Sequence, residues 1–386
     1  MSRIYLDYNA STPCCAEALD AMLPYFRERY GNASSVHGFG QEAKGAIEES
    51  RAKVAAFLNA SPGEIVFTSG GTESDNMGVI GAARALAEKG RHVVTSDIEH
   101  DAVRQSCDAL EREGFTVTRV APEGNGRVYP DAVAAALRPD TVLVTVIAAN
   151  NETGVIQPTA EIGALCAARG IAFHVDAVQA AAKYPIDVKA WNTTLVSITA
   201  HKFYGPKGAG ALYMRRGFRL APLSHGGEHE RGRRAGTENV PAIVGLGRAC
   251  EVAQEEMKTT APRLTKLRDR LEAGLMAAIP QIVRHGEGAP RVCNTSHLSF
   301  HGAEGEHLIL SLDMKGVAVS AGSACKAGSA HPSHVLLAMG VPATVAQSAV
   351  RFSLGRFTTD AEIDRVLEIV PPVVEKIRAG SPTFAA

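Results

Sequence analysis

Short apolar runs alternate with helical patterns along most of this chain, and this alternation restricts the fold more than any other sequence feature. The runs are rich in Val, Ile, Thr and Phe, which is typical of β-strands: GEIVFTS, RHVVTSD, FTVTRVAP, DTVLVTVIAA, GIAFHVDAV and TLVSITA. Strands with little polar alternation, separated by helices, predict a mostly parallel sheet covered on both faces. A further segment, GAGALYM, could add an antiparallel strand.

The pattern changes near residue 255, where a charged helix carries leucines at intervals of three and four: Leu264, Leu267, Leu271 and Leu275. Short strands follow in CNTSHLSF and GVAVSAG. A capping box of Thr359 and Glu362 begins a last helix that runs to about Val370, with a short tail after the next two prolines. We predict an N-terminal arm over 1–14 that packs with the small domain, a large α/β domain over 15–257 and a small α+β domain over 258–386.

Charge and cysteine content exclude several functional classes. The net charge of the 386 residues is −1, which disfavours a basic surface for non-specific nucleic-acid binding but leaves a local basic cluster open, and we expect no direct nucleic-acid binding. Seven cysteines without a C-x-x-C pair argue against a disulfide framework and a zinc ribbon, and favour reduced thiols in the cytoplasm. We see neither a signal peptide nor an apolar run of the ~18 residues that a membrane span needs.

A glycine-rich turn follows the first long strand. In EIVFTSGGTESDN, Gly71 and Thr72 stand where a helix begins, and the free N–H groups of a helix N-terminus suit a phosphate. Thr72 can equally be an ordinary N-cap of that helix. Taken alone, the motif leaves both readings open, since it matches neither a Walker A loop nor G-x-G-x-x-G.

Two later strands each end in a charged residue. GIAFHVDAVQA places Asp176 at a strand end, where it could hold a protonated ring nitrogen or simply cap a helix, and Gln179 follows. TLVSITAHKFYGPKG places Lys202 after a strongly apolar strand, between Thr199 and His201 on one side and a glycine-rich turn on the other. A desolvated lysine forms Schiff bases, whereas an exposed loop lysine would have no such role.

Together these three motifs provide a phosphate site, an acid for a ring nitrogen and a Schiff-base lysine. Pyridoxal 5′-phosphate (PLP) needs these three groups. The whole ordered set of motifs resembles the cysteine desulfurases, PLP enzymes of the class-V aminotransferase type similar to bacterial IscS and NifS proteins: YLDYNAST, SGGTESDN, EHDAV, NNETGVIQP, HVDAVQA, TAHKFYGPKG, HGGEHERGRRAGTEN, GSAC and RFSLGR. The resemblance covers nearly the whole chain. It implies the aspartate aminotransferase-like fold of type I, with a large, mostly parallel sheet domain and a smaller α+β domain.

The resemblance also implies a role for each matching residue. Lys202 would hold PLP as an imine and move the substrate Cα proton, Asp176 would bond the ring nitrogen, and Gln179 would bond the ring hydroxyl. The residues implied to bind the phosphate are Gly71, Thr72, Thr199 and His201, and Thr237 would bind the phosphate of a neighbouring subunit in a homodimer. His100 would be a catalytic residue stacked on the ring. Asn151 and Arg351 would bind the amino-acid substrate, and Asn151 would also contact the cofactor.

Cys325 lies in SAGSACKAGSAHPSH, a segment rich in glycine, serine and alanine. Without PLP it would be read as a free loop cysteine, but with PLP the resemblance makes it the nucleophile. It would take sulfur from L-cysteine as a persulfide, leave L-alanine and pass the sulfur to an acceptor. The acceptors implied are iron–sulfur scaffold proteins, or tRNA and cofactors that become thiolated. No resident metal is predicted, although Cys325 could transiently ligate an iron–sulfur cluster shared with a scaffold.

Two alternatives remain at this stage. The chain could be a selenocysteine lyase or another class-V lyase or aminotransferase, although Cys325 argues against a plain aminotransferase. It could also be a non-catalytic sulfur carrier on a degenerate PLP scaffold, although the presence of Lys202, Asp176 and His100 together argues against this.

Overall fold

The computed structural model describes residues 3–322 and 332–380. Cys325 lies outside these residues. The helices are α1 (Ala16–Met22), α2 (Pro24–Arg27), α3 (Gly38–Phe57), α4 (Gly71–Asn76), α5 (Ala82–Ala85), α6 (Asp101–Arg112), α7 (Pro130–Ala136), α8 (Thr159–Ala168), α9 (Val240–Ala278), α10 (Gly305–Met314), α11 (His334–Ala338), α12 (Ala343–Ala346) and α13 (Asp360–Ala379). The strands are β1 (Ile4–Tyr5), β2 (Ile65–Thr68), β3 (His92–Ser96), β4 (Thr116–Val120), β5 (Thr141–Ile147), β6 (Ala172–Asp176), β7 (Leu195–Thr199), β8 (Gly210–Met214), β9 (Ile282–Arg284), β10 (Thr295–Phe300), β11 (Val317–Ala318) and β12 (Ala349–Ser353).

A seven-stranded sheet in the order β2-β8-β7-β6-β5-β3-β4 forms the centre of the large domain. Its strands are parallel except β8, which pairs antiparallel with both β2 and β7. The predicted strands are all present, and the possible antiparallel strand in GAGALYM is β8. The predicted fold class is therefore confirmed.

Both faces of this sheet are covered, as the lack of polar alternation in the strands predicts. Val94 and Val196 belong to the apolar core on one face, whereas their chain neighbours Val93 and Leu195 belong to the core on the other face. Successive side chains of a strand point to opposite faces, so each strand contributes to both cores. The strands therefore form a rigid base whose C-terminal ends carry the site.

A second core belongs to the C-terminal part of the chain. The antiparallel sheet β12-β10-β9 packs with α10, α13 and the second half of α9, where the predicted leucine stripe is buried. Near the N-terminus, Ile4 and Leu6 join this core, and β1 pairs with β11. Helix α9 contributes residues to one core of the large sheet and to this C-terminal core. The predicted boundary after residue 257 therefore falls inside a continuous helix. The three-part division of the chain stays a prediction.

Helix α13 differs from the expectation of a short tail after the prolines. It begins with the predicted capping box of Thr359 and Glu362 but continues through Pro371 and Pro372 to Ala379. Proline removes a helical hydrogen bond, which usually ends or kinks a helix. Here the segment beyond the prolines is held by burial of Val374 and by the guanidinium of Arg378, which donates to two carbonyl oxygens outside the helix.

Candidate active site

A cavity of about 300 Å³ opens at the C-terminal ends of β5, β6 and β7. Parallel strands bring residues that are distant in sequence to one sheet edge, which is where open α/β sheets bind ligands. Ten of the predicted site residues line this cavity: Gly71, Thr72, His100, Asn151, Asp176, Gln179, Thr199, His201, Lys202 and Arg351. Their individual roles stay predictions.

Lys202 lies in a single 3₁₀ turn, Ala200–Lys202, directly after β7. Its Nζ donates to the carbonyl oxygens of Asn9 at 2.6 Å and of Ala10 at 2.8 Å. Both carbonyls belong to the N-terminal YLDYNAST segment, so the arm helps to hold the lysine in the cavity. These two backbone acceptors hold the Lys202 side chain in the cavity, which distinguishes it from an exposed loop lysine.

Asp176 ends β6 and is almost completely buried, with Oδ1 accepting the N–H of Val178 at 2.9 Å. Burial raises the pKa of Asp176, while the nearby His100 and Lys202 act in the opposite direction. A carboxylate in such a place gains most from a permanently bound cationic partner, because that partner offsets the loss of hydration. A protonated ring nitrogen would be such a partner.

Asp75 is a second acid in the cavity lining, close enough to Asp176 to affect its charge, and was not predicted from the sequence. It is buried on α4, and the Nε2 atom of His174 is 3.6 Å from its Oδ1. Burial and the neighbouring Asp176 hold the pKa of Asp75 well above its usual range, and burial lowers the pKa of His174 to about 3. Burial therefore favours the neutral forms of Asp75 and His174, whereas His100 and Lys202 favour the charged form of Asp176.

The two glycines at the start of α4, Gly70 and Gly71, lie close to neighbouring side chains. A Cβ atom at Gly71 would lie 2.8 Å from Cγ2 of Val178, so only glycine lets the backbone lie this close. Thr199 is buried across the turn, and a Cβ at Gly70 would be 3.6 Å from its Oγ1. The turn and Thr72 thus offer N–H and hydroxyl donors to an anionic group, whereas the Thr199 hydroxyl donates to the carbonyl oxygen of Ala209 at 3.1 Å and would have to exchange that partner.

His201 is a neutral side chain at the same end of the cavity. Burial, together with the charges of Lys202, Lys207 and Lys183, lowers the pKa of His201 to about 4. Its Nδ1 lies 3.3 Å from the hydroxyl oxygen of Ser11. A neutral imidazole can donate one N–H to a phosphate oxygen without adding a charge.

His100 is the N-cap of α6, and its Nδ1 accepts the N–H of Ala102 at 3.1 Å. That contact orients the ring towards the cavity, which its side chain lines. His100 therefore caps a helix, as a histidine without a catalytic role could, and it also lines the cavity.

Arg351 lies on β12, so the C-terminal part of the chain contributes this side chain to the cavity. Its guanidinium is almost fully buried and donates from Nη2 to Asp7 at 2.9 Å and to Ser320 at 2.8 Å. Its Nη1 donates to the carbonyl oxygens of Asn151 at 2.9 Å and Gly322 at 2.7 Å. A two-pronged grip on a substrate carboxylate therefore requires Arg351 to exchange some of these partners.

Thr237 is the predicted residue that lies elsewhere. It is exposed and does not line the cavity of its own chain. Among the described residues, no group of three His, Cys, Asp or Glu side chains could hold a metal ion. In the same part of the chain, no helix is both long and apolar enough to cross a membrane.

Comparison with known proteins identifies the family. The family model of the class-V aminotransferases matches residues 4–366. The cysteine desulfurase IscS of Anaeromyxobacter dehalogenans is 51% identical over 384 residues, which cover 99% of this chain and 95% of that protein. This chain belongs to the cysteine desulfurase family of class-V aminotransferases.

Solved structures agree with this family. A NifS-like protein superposes with a TM-score of 0.91 at 38% identity, covering 97% of this chain and all of that one. SspA in complex with cysteine gives a TM-score of 0.81 at 35% identity, with 92% and 100% covered. The predicted resemblance and type I fold are confirmed. Cysteine desulfurases use PLP, so the predicted cofactor is confirmed as well.

The residues that line the cavity include the groups that this cofactor needs. Asp176 is a buried acid for the ring nitrogen, Lys202 is the amine, and the turn at Gly71 provides donors for the phosphate. Asn9, Ala10, Asp75, Ile147 and Val178 also line the cavity and were not predicted. The YLDYNAST and SGGTESDN motifs contained three of them, but neither motif shows from its composition which side chains reach the site.

Proposed function

We propose that this chain converts L-cysteine to L-alanine and takes up the sulfur as a persulfide on Cys325. The reaction balances as L-cysteine plus one enzyme thiol giving L-alanine plus one enzyme persulfide. The observation that supports it best is the convergence of Lys202, Asp176 and Arg351 on one cavity in a chain of this family. The solved structure of SspA with cysteine, similar over nearly the whole chain, supports L-cysteine as the substrate.

Bound PLP would supply an electron sink for the substrate Cα carbanion. In this proposal the amine of Lys202 accepts the Cα proton and later returns a proton to the product. Asp176 keeps the ring nitrogen protonated, and Gly71, Thr72, Thr199 and His201 hold the phosphate. Arg351 and Asn151 orient the substrate carboxylate, while His100 stacks on the ring and assists proton movement.

A direct assay tests the proposal. The purified, PLP-loaded protein should release L-alanine and sulfide in equal amounts from L-cysteine when a thiol reductant is present. Selenocysteine is assayed beside it. Formation of pyruvate or a keto acid in place of L-alanine would contradict the proposal, and turnover of selenocysteine alone would favour a selenocysteine lyase.

We also infer a homodimer in which Thr237 completes the phosphate site of the partner subunit. Large apolar side chains are exposed near the N-terminus, as expected of a surface that another subunit covers: Leu23, Phe26, Tyr30, Val36 and Phe39. Thr237 itself is exposed, which suits a residue that acts outside its own chain.

The loop that carries Thr237 is fixed firmly to the large domain. Arg51 forms a buried, two-pronged ion pair with Glu230, at 2.7 and 2.8 Å. Arg234 pairs with Glu73 of α4 at 2.8 Å. The backbone of Glu230 is held in the left-handed region, with φ at 47°, which a non-glycine residue adopts only when contacts enforce it. These contacts support a loop that presents Thr237 in one fixed position.

Mixed dimers test this role of Thr237. We expect Thr237→Ala to weaken PLP binding about tenfold, because one hydrogen bond to a charged group is lost. A heterodimer of one Thr237→Ala subunit and one Lys202→Ala subunit should keep one working site, which combines the intact Lys202 of one chain with the intact Thr237 of the other. Alanine formation is measured on the purified heterodimer. The PLP concentration that gives half-maximal activity is measured as well. A value raised about tenfold in the heterodimer, as in the Thr237→Ala homodimer, would show that Thr237 acts in its own chain.

The sulfur acceptor is the remaining part of the proposal. We propose that the persulfide sulfur is transferred to an iron–sulfur scaffold protein. The same persulfide could also supply sulfur for the thiolation of tRNA or of cofactors. Cys325 could share a cluster transiently with the scaffold. The described cysteines are free thiols, which supports a reducing compartment and a cytoplasmic location.

A further inference from the structure

Lys183 is a partly buried lysine next to Gln179 of the cavity lining, and the proposed reaction gives it no role. Its Nζ donates to Oε1 of Gln179 at 2.7 Å. Burial and the charges of Lys202 and Arg351 lower the pKa of Lys183 to about 7, with Cys293 acting in the opposite direction. Within residues 3–322 and 332–380, no carboxylate forms an ion pair with it. A cation held in this way would be stabilised by an anion in the cavity.

The contact with Lys183 determines the orientation of the Gln179 amide. Nζ of Lys183 donates to the amide oxygen, which therefore faces it, and the carbonyl of Asn9, which can only accept, agrees with this orientation. The amide nitrogen then faces the other way, where it donates to the carbonyl oxygen of Asn9 at 2.9 Å. That same carbonyl accepts Nζ of Lys202 at 2.6 Å. One N–H of Gln179 is thus used by the carbonyl that also accepts Lys202, which leaves the second N–H for the cavity that Gln179 lines.

The reverse orientation would be unfavourable once PLP is bound. If Lys183 were absent, the Asn9 carbonyl alone would hold the Gln179 amide in this orientation, so a turned amide with its oxygen towards the cavity would be more populated. PLP carries an anionic ring oxygen, and an amide oxygen facing it would repel it, whereas an N–H group would stabilise it. When Lys183 is protonated, its charge adds to this effect, because it polarises the amide through the 2.7 Å contact with Oε1.

We propose that Lys183 is a positioning residue that holds the Gln179 amide with its second N–H towards the ring oxygen of PLP. Its ammonium acts through the amide and does not touch substrate or cofactor. The proposal rests on the cofactor site of the proposed function and is independent of the sulfur chemistry. It predicts that Lys183 determines how readily the bound cofactor releases its proton.

The test is a pH titration of the visible absorbance band of the PLP-loaded protein without substrate. We expect Lys183→Met to move the titration midpoint upward by about 0.5 to 1 pH unit, because the deprotonated, anionic cofactor loses stabilisation. Lys183→Arg keeps a charged donor and should recover at least half of the shift. Lys189→Met removes an exposed lysine on the following turn and should leave the midpoint unchanged. An unchanged midpoint in Lys183→Met would overturn the proposal.

Gln179→Met provides the second arm, which also decides the question if Lys183→Met does not fold. It should shift the midpoint in the same direction, and adding Lys183→Met should change it little further, since both act through one amide. The proposal that Lys183 acts through Gln179 would be refuted by an unchanged midpoint in Gln179→Met. It would also be refuted if the double variant showed the full sum of the two single-variant shifts. If PLP binds but L-cysteine yields no L-alanine, the proposed function fails while this titration still decides the role of Lys183.

Discussion

Replacing Lys202 with alanine should lower alanine formation from L-cysteine by at least about a hundredfold. A positioned general acid–base group contributes a factor of about 10² to 10⁴, and Lys202 is proposed both to transfer the Cα proton and to bind the cofactor covalently. The carbonyl oxygens of Asn9 and Ala10 that hold its Nζ would then face the cavity without this donor. The variant should therefore keep PLP only by non-covalent contacts and lose it on extended dialysis.

Lys207→Ala is the matched control, because Lys207 lies five residues further along the same loop and is exposed. It should retain parental activity and cofactor content. Borohydride reduction followed by peptide mapping should attach the cofactor to the Lys202 peptide in the parent and in the Lys207 variant alone. Cofactor bound covalently at another lysine, or a Lys202→Ala variant with more than a tenth of parental turnover, would refute the assignment of Lys202.

Replacing Cys325 with alanine should separate cofactor binding from sulfur transfer. The described residues account for the cofactor site, so the variant should retain PLP in full and keep the parental absorbance band. Sulfide release with a thiol reductant should fall at least about a hundredfold, because the thiolate that accepts the sulfur is gone. Absorbance and sulfide are measured on the same preparation.

The control for this variant is Cys14→Ala, which removes an exposed free cysteine outside the cavity. It should release sulfide at the parental rate. The buried cysteines Cys107, Cys166 and Cys250 are poor alternatives, because burial raises the pKa of each thiol and disfavours its reactive form. Sulfide release by Cys325→Ala at the parental rate would show that another group accepts the sulfur.

The strands and the residues at their ends were predictable because their signals are local. The apolar runs that became β5, β6 and β7 are continuous in sequence, and Asp176 and Lys202 stand directly at or after a strand end. The buried leucine stripe of α9 and the capping box of α13 are local patterns as well. Polar residues that follow apolar strands in an α/β sheet must meet at one edge, and they do so here.

The contacts between distant segments were not predictable from the residues themselves. Lys202 is held by Asn9, 193 positions earlier in the chain, and Arg351 by Asp7, 344 positions earlier. No local pattern encodes which carbonyl or carboxylate a side chain will meet after folding. Asp75 and Lys183 were missed for the same reason, since an acid on a helix and a lysine in a turn are usually solvated. The extension of α13 beyond Pro372 likewise depends on distant carbonyl acceptors for Arg378.

Mass-spectrometric mapping of the sulfur after one turnover tests the central claim most directly. The PLP-loaded protein is mixed with L-cysteine without reductant, and its thiols are alkylated and its peptides analysed. The account predicts one added sulfur atom on the Cys325 peptide, formed in equal amount with L-alanine, and none on the Cys14 or Cys293 peptides. L-Alanine formed with no added sulfur on Cys325, or with the sulfur on another cysteine, would contradict it.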